Sequence, residues 1–393
     1  MIRKLLVAAA AALALHAPTR AADTIKVGVM LVDSGPLAFI LPLYTEPAKL
    51  AVEILNAQGG ALGRKFELVM QAHSGTPAGA IATATKLVQQ DGVSFLTGFN
   101  TTAAVLALGP RLGGLNALLV DGNTSGDDQT GKNCQPNYFR SGGNDGMAMN
   151  VLRDVVKTSG GKTWNLIVPD YAFGHDFAKR FKALVEEQGG ALQTTIFAPV
   201  GTADFGSFIS QLAAKPADGL GVVVLGNDGI TFAKQQQQFG LFAKFKTVVS
   251  SQFTNEVVLA AQGDSTVGTY AAQSYTPAMP GEKNAAFVKA FEARFKRKPY
   301  YIEAEQYQVY ELLQAAINKA QSTDVAAVRA AFNGLKANTI MGDVEMRAAD
   351  HQLVRPMALT QIVKGAEGKA VPALRMLEPG PAVTPPPSPE CKL

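Results

Sequence analysis

The chain has 393 residues, 47% of them hydrophobic and 17% charged, with a formal net charge of +4. That length is more than one ordinary core needs and suits two domains, and the composition is that of globular protein. So small a charge, with no long basic cluster, gives no electrostatic case for nucleic acid or an anionic membrane as partner.

The N-terminus reads MIRKLLVAAAAALALHAPTRA: a basic start at Arg3 and Lys4, an apolar run from Leu5 to Leu15, and small residues at the end. This is the pattern of a secretory signal peptide, residues 1–21, cleaved near Ala21. The apolar run is well short of the roughly 20 residues that span a bilayer. Removing it takes away three basic residues and no acid, so the mature charge falls from +4 to +1. The densest basic run left, FKRKP at 295–299, reads as a solvated helix end.

From residue 25 onward, short apolar β-rich runs alternate with amphipathic stretches. IKVGVMLV (25–32), KFELVM (65–70), VSFLTGF (93–99) and ALLVDG (117–122) read as buried strands, and the segments around 46–58, 79–91 and 101–112 as helices. After a break near Phe139 to Gly143 the pattern restarts with TWNLIV (163–168), ALQTTIF (191–197), GLGVVVL (219–225) and TVVSSQF (247–253). The intervening helix places Phe177, Phe181, Leu184 and Val185 on one face and Lys179, Lys182, Glu186 and Glu187 on the other, and Gly189 and Gly190 end it. The expectation is an α/β fold of two Rossmann-like lobes, each a mainly parallel sheet flanked by helices.

In such sheets ligands bind outside the carboxyl ends of the strands. The loops there are DSGPLAF (33–39), GFNTT (98–102), DGNTSG (121–126), PDYAFG (169–174) and GNDG (226–229). Helix N-termini that follow them present unpaired N–H groups, which suits a carboxylate. Asn100, Thr101, Thr102 and Thr124 are placed to add side-chain hydrogen bonds, although N-capping explains each of them singly. Tyr171 and Phe173 are aromatics in a loop, where they either cover a ligand or staple their own helix.

The segments IKVGVMLVDSGPLA, AVEILNAQGGALGRKFELV, GFNTTAAVLAL, CQPNYFRSGGND, VPDYAFGHDF, TADFGSFISQL and LGNDGITFAKQQQQFGL together resemble the periplasmic solute-binding proteins of the leucine/isoleucine/valine-binding type, receptors of ABC importers. The resemblance implies a type I periplasmic-binding-protein fold with three interlobe crossings, near 139–143, 268–276 and 343–350. Lobe one is then 22–140 plus 275–345, lobe two 141–270 plus 346–378, and 379–393 a proline-rich tail. It implies a periplasmic monomer that closes on a small ligand and docks on inner-membrane permease subunits, with no cofactor and no metal. Carried over residue by residue, the first-lobe ligand set is Asn100, Thr101, Thr102, Gly122, Asn123 and Thr124. The second-lobe set is Tyr171, Phe173, Asn227 and Asp228.

A branched-chain or related amino acid is the ligand this resemblance favours, with Asp228 meeting the ammonium. The GNDG loop departs from the amino-acid binders, which keeps aromatic acids, keto acids and amides open, as well as a sensor of the same fold. Enzyme motifs such as GxSxG, HExxH and the P-loop do not occur, and His175 beside Asp176 reads as a surface helix start rather than a general base. Cys134 and Cys391 both survive signal removal, and an even pair in an exported chain reads as a possible disulfide, with two free thiols as the alternative.

Overall fold

The computed structural model describes residues 24–34, 38, 40–98 and 101–393; the signal segment and Asn100 lie outside them. In the first lobe, β1 (Ile25–Val32), β2 (Phe66–His73), β3 (Phe95–Gly98), β4 (Leu118–Asp121) and β5 (Tyr138–Arg140) form a parallel sheet of order β2-β1-β3-β4-β5. Its helices are α1 (Leu41–Ala57), α2 (Pro77–Gln89), α3 (Thr102–Leu108) and α4 (Leu112–Leu115). β1 is buried along almost its whole length because helices cover both faces of the sheet, which is why its sequence is a continuous apolar run. α1 begins earlier than the sequence suggests and runs through Pro47, whose buried ring packs in the core and outweighs the lost N–H. At the end of β3, Gly98 has φ 108° and a Cβ there would sit 2.1 Å from the Met30 carbonyl, so only glycine fits.

The second lobe holds α5 (Asp145–Thr158), β6 (Thr163–Pro169), α6 (Ala172–Glu187), β7 (Ala191–Ala198), α7 (Gly206–Ala213), β8 (Gly219–Val222), α8 (Gly226–Gln238), β9 (Thr247–Ser251), α9 (Glu256–Gln262) and β10 (Tyr270–Gln273). The chain then returns to the first lobe as α10 (Glu282–Phe295), α11 (Tyr301–Ala320), α12 (Val325–Phe332), and the strands β11 (Lys336–Thr339), β12 (Gly342–Met346) and β13 (Leu353–Val354). It finishes with β14 (Met357–Lys364), β15 (Ala370–Glu378) and α13 (Gly380–Val383). The second sheet has the order β15-β14-β10-β9-β8-β6-β7, parallel from β7 to β10 and antiparallel at β14 and β15.

The first two crossings fall where the sequence places them, after β5 and after β10. The third does not. β12 belongs to a small antiparallel sheet, β11-β12-β13, and Val344, Met346 and Leu353 join the first lobe's core beneath α11 and α12. A two-residue hairpin at Ile340 and Met341, both buried, keeps β12 beside β11, so the chain changes lobe only between Val354 and Met357.

Arg355 lies in that last crossing and is fully buried. Its guanidinium donates to the carbonyls of Ser141 (3.3 Å) in the first crossing and Ser274 in the second, and it pairs with Glu305 Oε1 of α11 at 3.0 Å. Beside it Arg140, also fully buried, donates to Gln352 Oε1 (2.6 Å), Thr130 Oγ1 (2.5 Å) and the Gly126 carbonyl. All three crossings thus share one hydrogen-bonded centre. Cys134 and Cys391 are bonded, with Cα atoms 5.5 Å apart.

Candidate functional site

Between the lobes lies a cleft of about 480 Å³. The first lobe contributes Ile40, Tyr44, Thr101, Thr102, Asn123, Thr124, Ser125, Tyr301 and Ile302. The second contributes Pro169, Tyr171, Phe173, Val200, Leu225, Asn227, Asp228, Gln252 and Asn255 among others. Strand ends and helix starts put these residues together. The N-terminal residues of α3, α6, α8 and α11 all face the cleft, so free backbone N–H groups and the positive ends of helix dipoles converge there.

On the first-lobe side the polar groups are already engaged. Thr101 caps α3, its Oγ1 accepting from the Ala104 N–H at 3.1 Å. Asp121, at the end of β4 and fully buried, accepts from the N–H of Asn123 (2.9 Å) and of Thr124 (3.3 Å), from the Tyr138 hydroxyl (2.9 Å) and from the Thr124 hydroxyl. Burial pushes its carboxyl upward, against the pull of these four donors. Tyr44 donates to Asn123 Oδ1. Tyr44 and Tyr301, at the cleft, have their hydroxyl pKa raised by burial and so remain neutral donors.

On the second-lobe side Tyr171 stands at the N-cap of α6, 38% exposed, with its ring centroid 5.8 Å from that of Phe173. Phe173 is only 5% exposed and also touches Phe177, centroids 6.4 Å apart, so it lines the cleft and packs under its own helix at once. Asp228 lies in the first turn of α8, where one oxygen accepts from the Gly201 N–H at 2.8 Å. Among the described lining residues Asp228 is the single charged side chain. Across the cleft the Tyr301 hydroxyl reaches Gln252 Oε1 at 3.4 Å, a contact between lobes.

The structure gathers Thr101, Thr102, Asn123, Thr124, Tyr171, Phe173, Asn227 and Asp228 on one cleft. Gly122 does not line it. A Cβ there would meet the Glu305 carbonyl at 3.1 Å, so this glycine allows the close approach of the β4 loop to α11. Asn100 falls outside the described residues. His175 pairs with Asp170 (2.9 Å) and stacks on Phe197, away from Asp176. Sequence reasoning missed Tyr44, Tyr301, Gln252 and Asn255. Tyr44 precedes the stretch read as a helix around 46–58, Tyr301 opens α11 far along the chain from the strand-end loops, and Gln252 takes a left-handed backbone, φ 60°, which no residue type announces. Among the described residues no cluster of His, Cys, Asp and Glu could hold a metal ion, and no helix is long and apolar enough to cross a membrane.

Two α/β lobes joined by three crossings around a cleft of helix N-termini define a bilobal receptor for small solutes. The periplasmic binding protein family matches residues 24–367, and the chain belongs to that family. It is 28% identical over 348 residues to the Leu/Ile/Val-binding protein homolog 3 of Brucella melitensis, covering 86% of this chain and 91% of that one. The fold is similar to that of an amino acid ABC transporter substrate-binding protein from Pseudomonas fluorescens, with a TM-score of 0.83, 21% identity, and 91% and 96% of the two chains covered. It is equally similar, TM-score 0.83 and 22% identity over 91% and 98% of the chains, to an ABC transporter solute-binding protein from Rhodopseudomonas palustris in complex with 3,4-dihydroxybenzoic acid.

Proposed function

We propose that this protein is the exported substrate receptor of an ABC importer and that it captures a zwitterionic amino acid with an apolar side chain. The single observation that carries the ligand class is the charge pattern of the cleft: among the described lining residues, one carboxylate, Asp228, and otherwise neutral or apolar groups. A ligand carboxylate is met by the helix N-termini that face the cleft, without a cation. The ligand ammonium is met by the free oxygen edge of Asp228. Tyr171, Phe173, Val200 and Leu225 close over the side chain, since aromatic faces supply contact area at little entropic cost. The lobes rotate about the shared crossings, and the closed form docks as a monomer on the membrane permease.

Titration calorimetry of wild type and Asp228→Asn against a panel of amino acids and aromatic acids tests this. For an apolar amino acid the substitution costs on the order of 2–5 kcal/mol of binding, because it leaves the ammonium under-compensated. A second reading, an aromatic acid, draws on the rings of Tyr44, Tyr171, Phe173 and Tyr301 around the cleft. Under it Asp228→Asn is neutral or tightens binding, since a carboxylate there repels a net anion.

A further inference from the structure

After the third crossing the chain stays with the second lobe. β14 and β15 complete its sheet, and α13 packs on α5 with Val383 1% exposed in that lobe's core. Asn150 of α5 holds the Val383 carbonyl at 2.8 Å. Pro385 then lies against Gly146 at the start of α5, and Arg347, from the first-lobe stretch between β12 and β13, donates to the Pro385 carbonyl at 2.7 Å. Six residues further on, Cys391 is bonded to Cys134, which sits between β4 and β5 in the first lobe. The same first-lobe stretch leans on the second lobe without a covalent bond: Asp127 pairs with Arg180 of α6 at 2.6 Å, and Asp176 of α6 lies against Gly126.

We propose that this C-terminal strap is a fourth, covalent connection between the lobes, and that it sets how far the α5 and α6 flank of the cleft opens. The inference rests on the hinge reading above. Its anchors are firm at both ends, a buried α13 on one lobe and a disulfide on the other. Between Pro385 and Cys391 the chain spans at most about 20 Å even when fully extended. Pro386, Pro387 and Pro389 stiffen it further by fixing φ. An opening that carries Cys134 beyond that reach of Pro385 must pull the strap off α5 or stop. A stop of this kind keeps the ligand-free ensemble close to the closed form, so less freedom is lost when a ligand binds.

The test compares three proteins: wild type, Cys134→Ser/Cys391→Ser, and a chain with a flexible Gly-Ser segment inserted between Pro389 and Glu390 that keeps both cysteines. Small-angle scattering without ligand should give both variants a radius of gyration larger than wild type by on the order of 1 Å. With L-leucine and 4-hydroxybenzoate as probes, whichever binds wild type should bind the insertion variant several-fold more weakly and compact it to the same closed size. An insertion variant that opens no wider than wild type overturns the proposal and leaves the disulfide a staple of the tail; so do two titratable thiols in denatured, unreduced wild type. The insertion keeps the bond, so it carries the test even if the double serine variant fails to fold. Failure of the hinge reading is separately visible as wild type that binds a probe without compacting.

Discussion

The two walls of the cleft are built differently. The first-lobe wall is finished before any ligand arrives: Thr101 caps its helix, Asp121 gathers four donors, and Thr102, Thr124 and Ser125 are all buried. The second-lobe wall is open, with Tyr171 38% and Val200 50% exposed, Asn227 in solvent, and Asp228 held through one oxygen only. The contrast assigns the walls different work. Under the function proposed above, the rigid, hydrogen-bonded surface receives the ligand's polar end, and the looser surface gains its burial when the lobes come together.

The largest effect is expected on the finished wall. Asp121→Asn removes an acceptor from several buried N–H and O–H groups and should cost about 3 kcal/mol of folding stability, read from urea unfolding, with ligand binding lost alongside. Wild-type stability in that variant would show that the wall is not held by Asp121 and would erase the contrast.

A second, intermediate effect separates the lobes by pH. Glu256 opens α9 at the second-lobe rim, and among the described residues its carboxyl has no side-chain hydrogen-bond partner. Burial, with Glu303 of α11 opposite, raises its carboxyl to about 7 from the ordinary 4.5. The folded state therefore holds a proton between pH 4.5 and 7 that the unfolded state has released. Stability should fall by roughly 2 kcal/mol as pH rises through this window, after discounting for water reaching the rim. Glu256→Gln should flatten that part of the pH profile and be the more stable protein at pH 8; an unchanged profile would put the titration elsewhere.

The smallest effect is expected on the open wall. Tyr171→Ala should weaken binding by about 1–2 kcal/mol while the melting temperature without ligand stays within error, because the ring is half exposed until closure. A drop in ligand-free stability would mean that the second wall is as prebuilt as the first.

The sequence announces most of this fold because parallel strands covered on both faces are written as continuous apolar runs. β1, β4, β6 and β9 are each legible that way, within a residue or two of their ends. The loops after them are legible too, since strand ends in such sheets point at the ligand, and eight of the residues read from them meet on the cleft. What stays hidden depends on long-range neighbours. Nothing local tells Gly122 that it will pass close to the Glu305 carbonyl. Tyr301 opens a helix whose pattern is that of packing, and only the return of that helix to the first lobe brings its ring to the cleft. The misplaced third crossing has the same origin: the stretch around 343–350 reads as the passage into lobe two until the hairpin of β12 with β11 keeps it in the first lobe.

Arg355 gives the shared centre of the crossings a mechanical meaning. One side chain holds carbonyls of the first two crossings while lying in the third, so in the hinge motion proposed above the connecting strands are tied into a single pivot pin. Replacing Arg355 would thus do more than strip Glu305 of its buried partner: it would turn one axle into three loose ribbons, and the lobes would lose a common direction of travel before they lost their own folds.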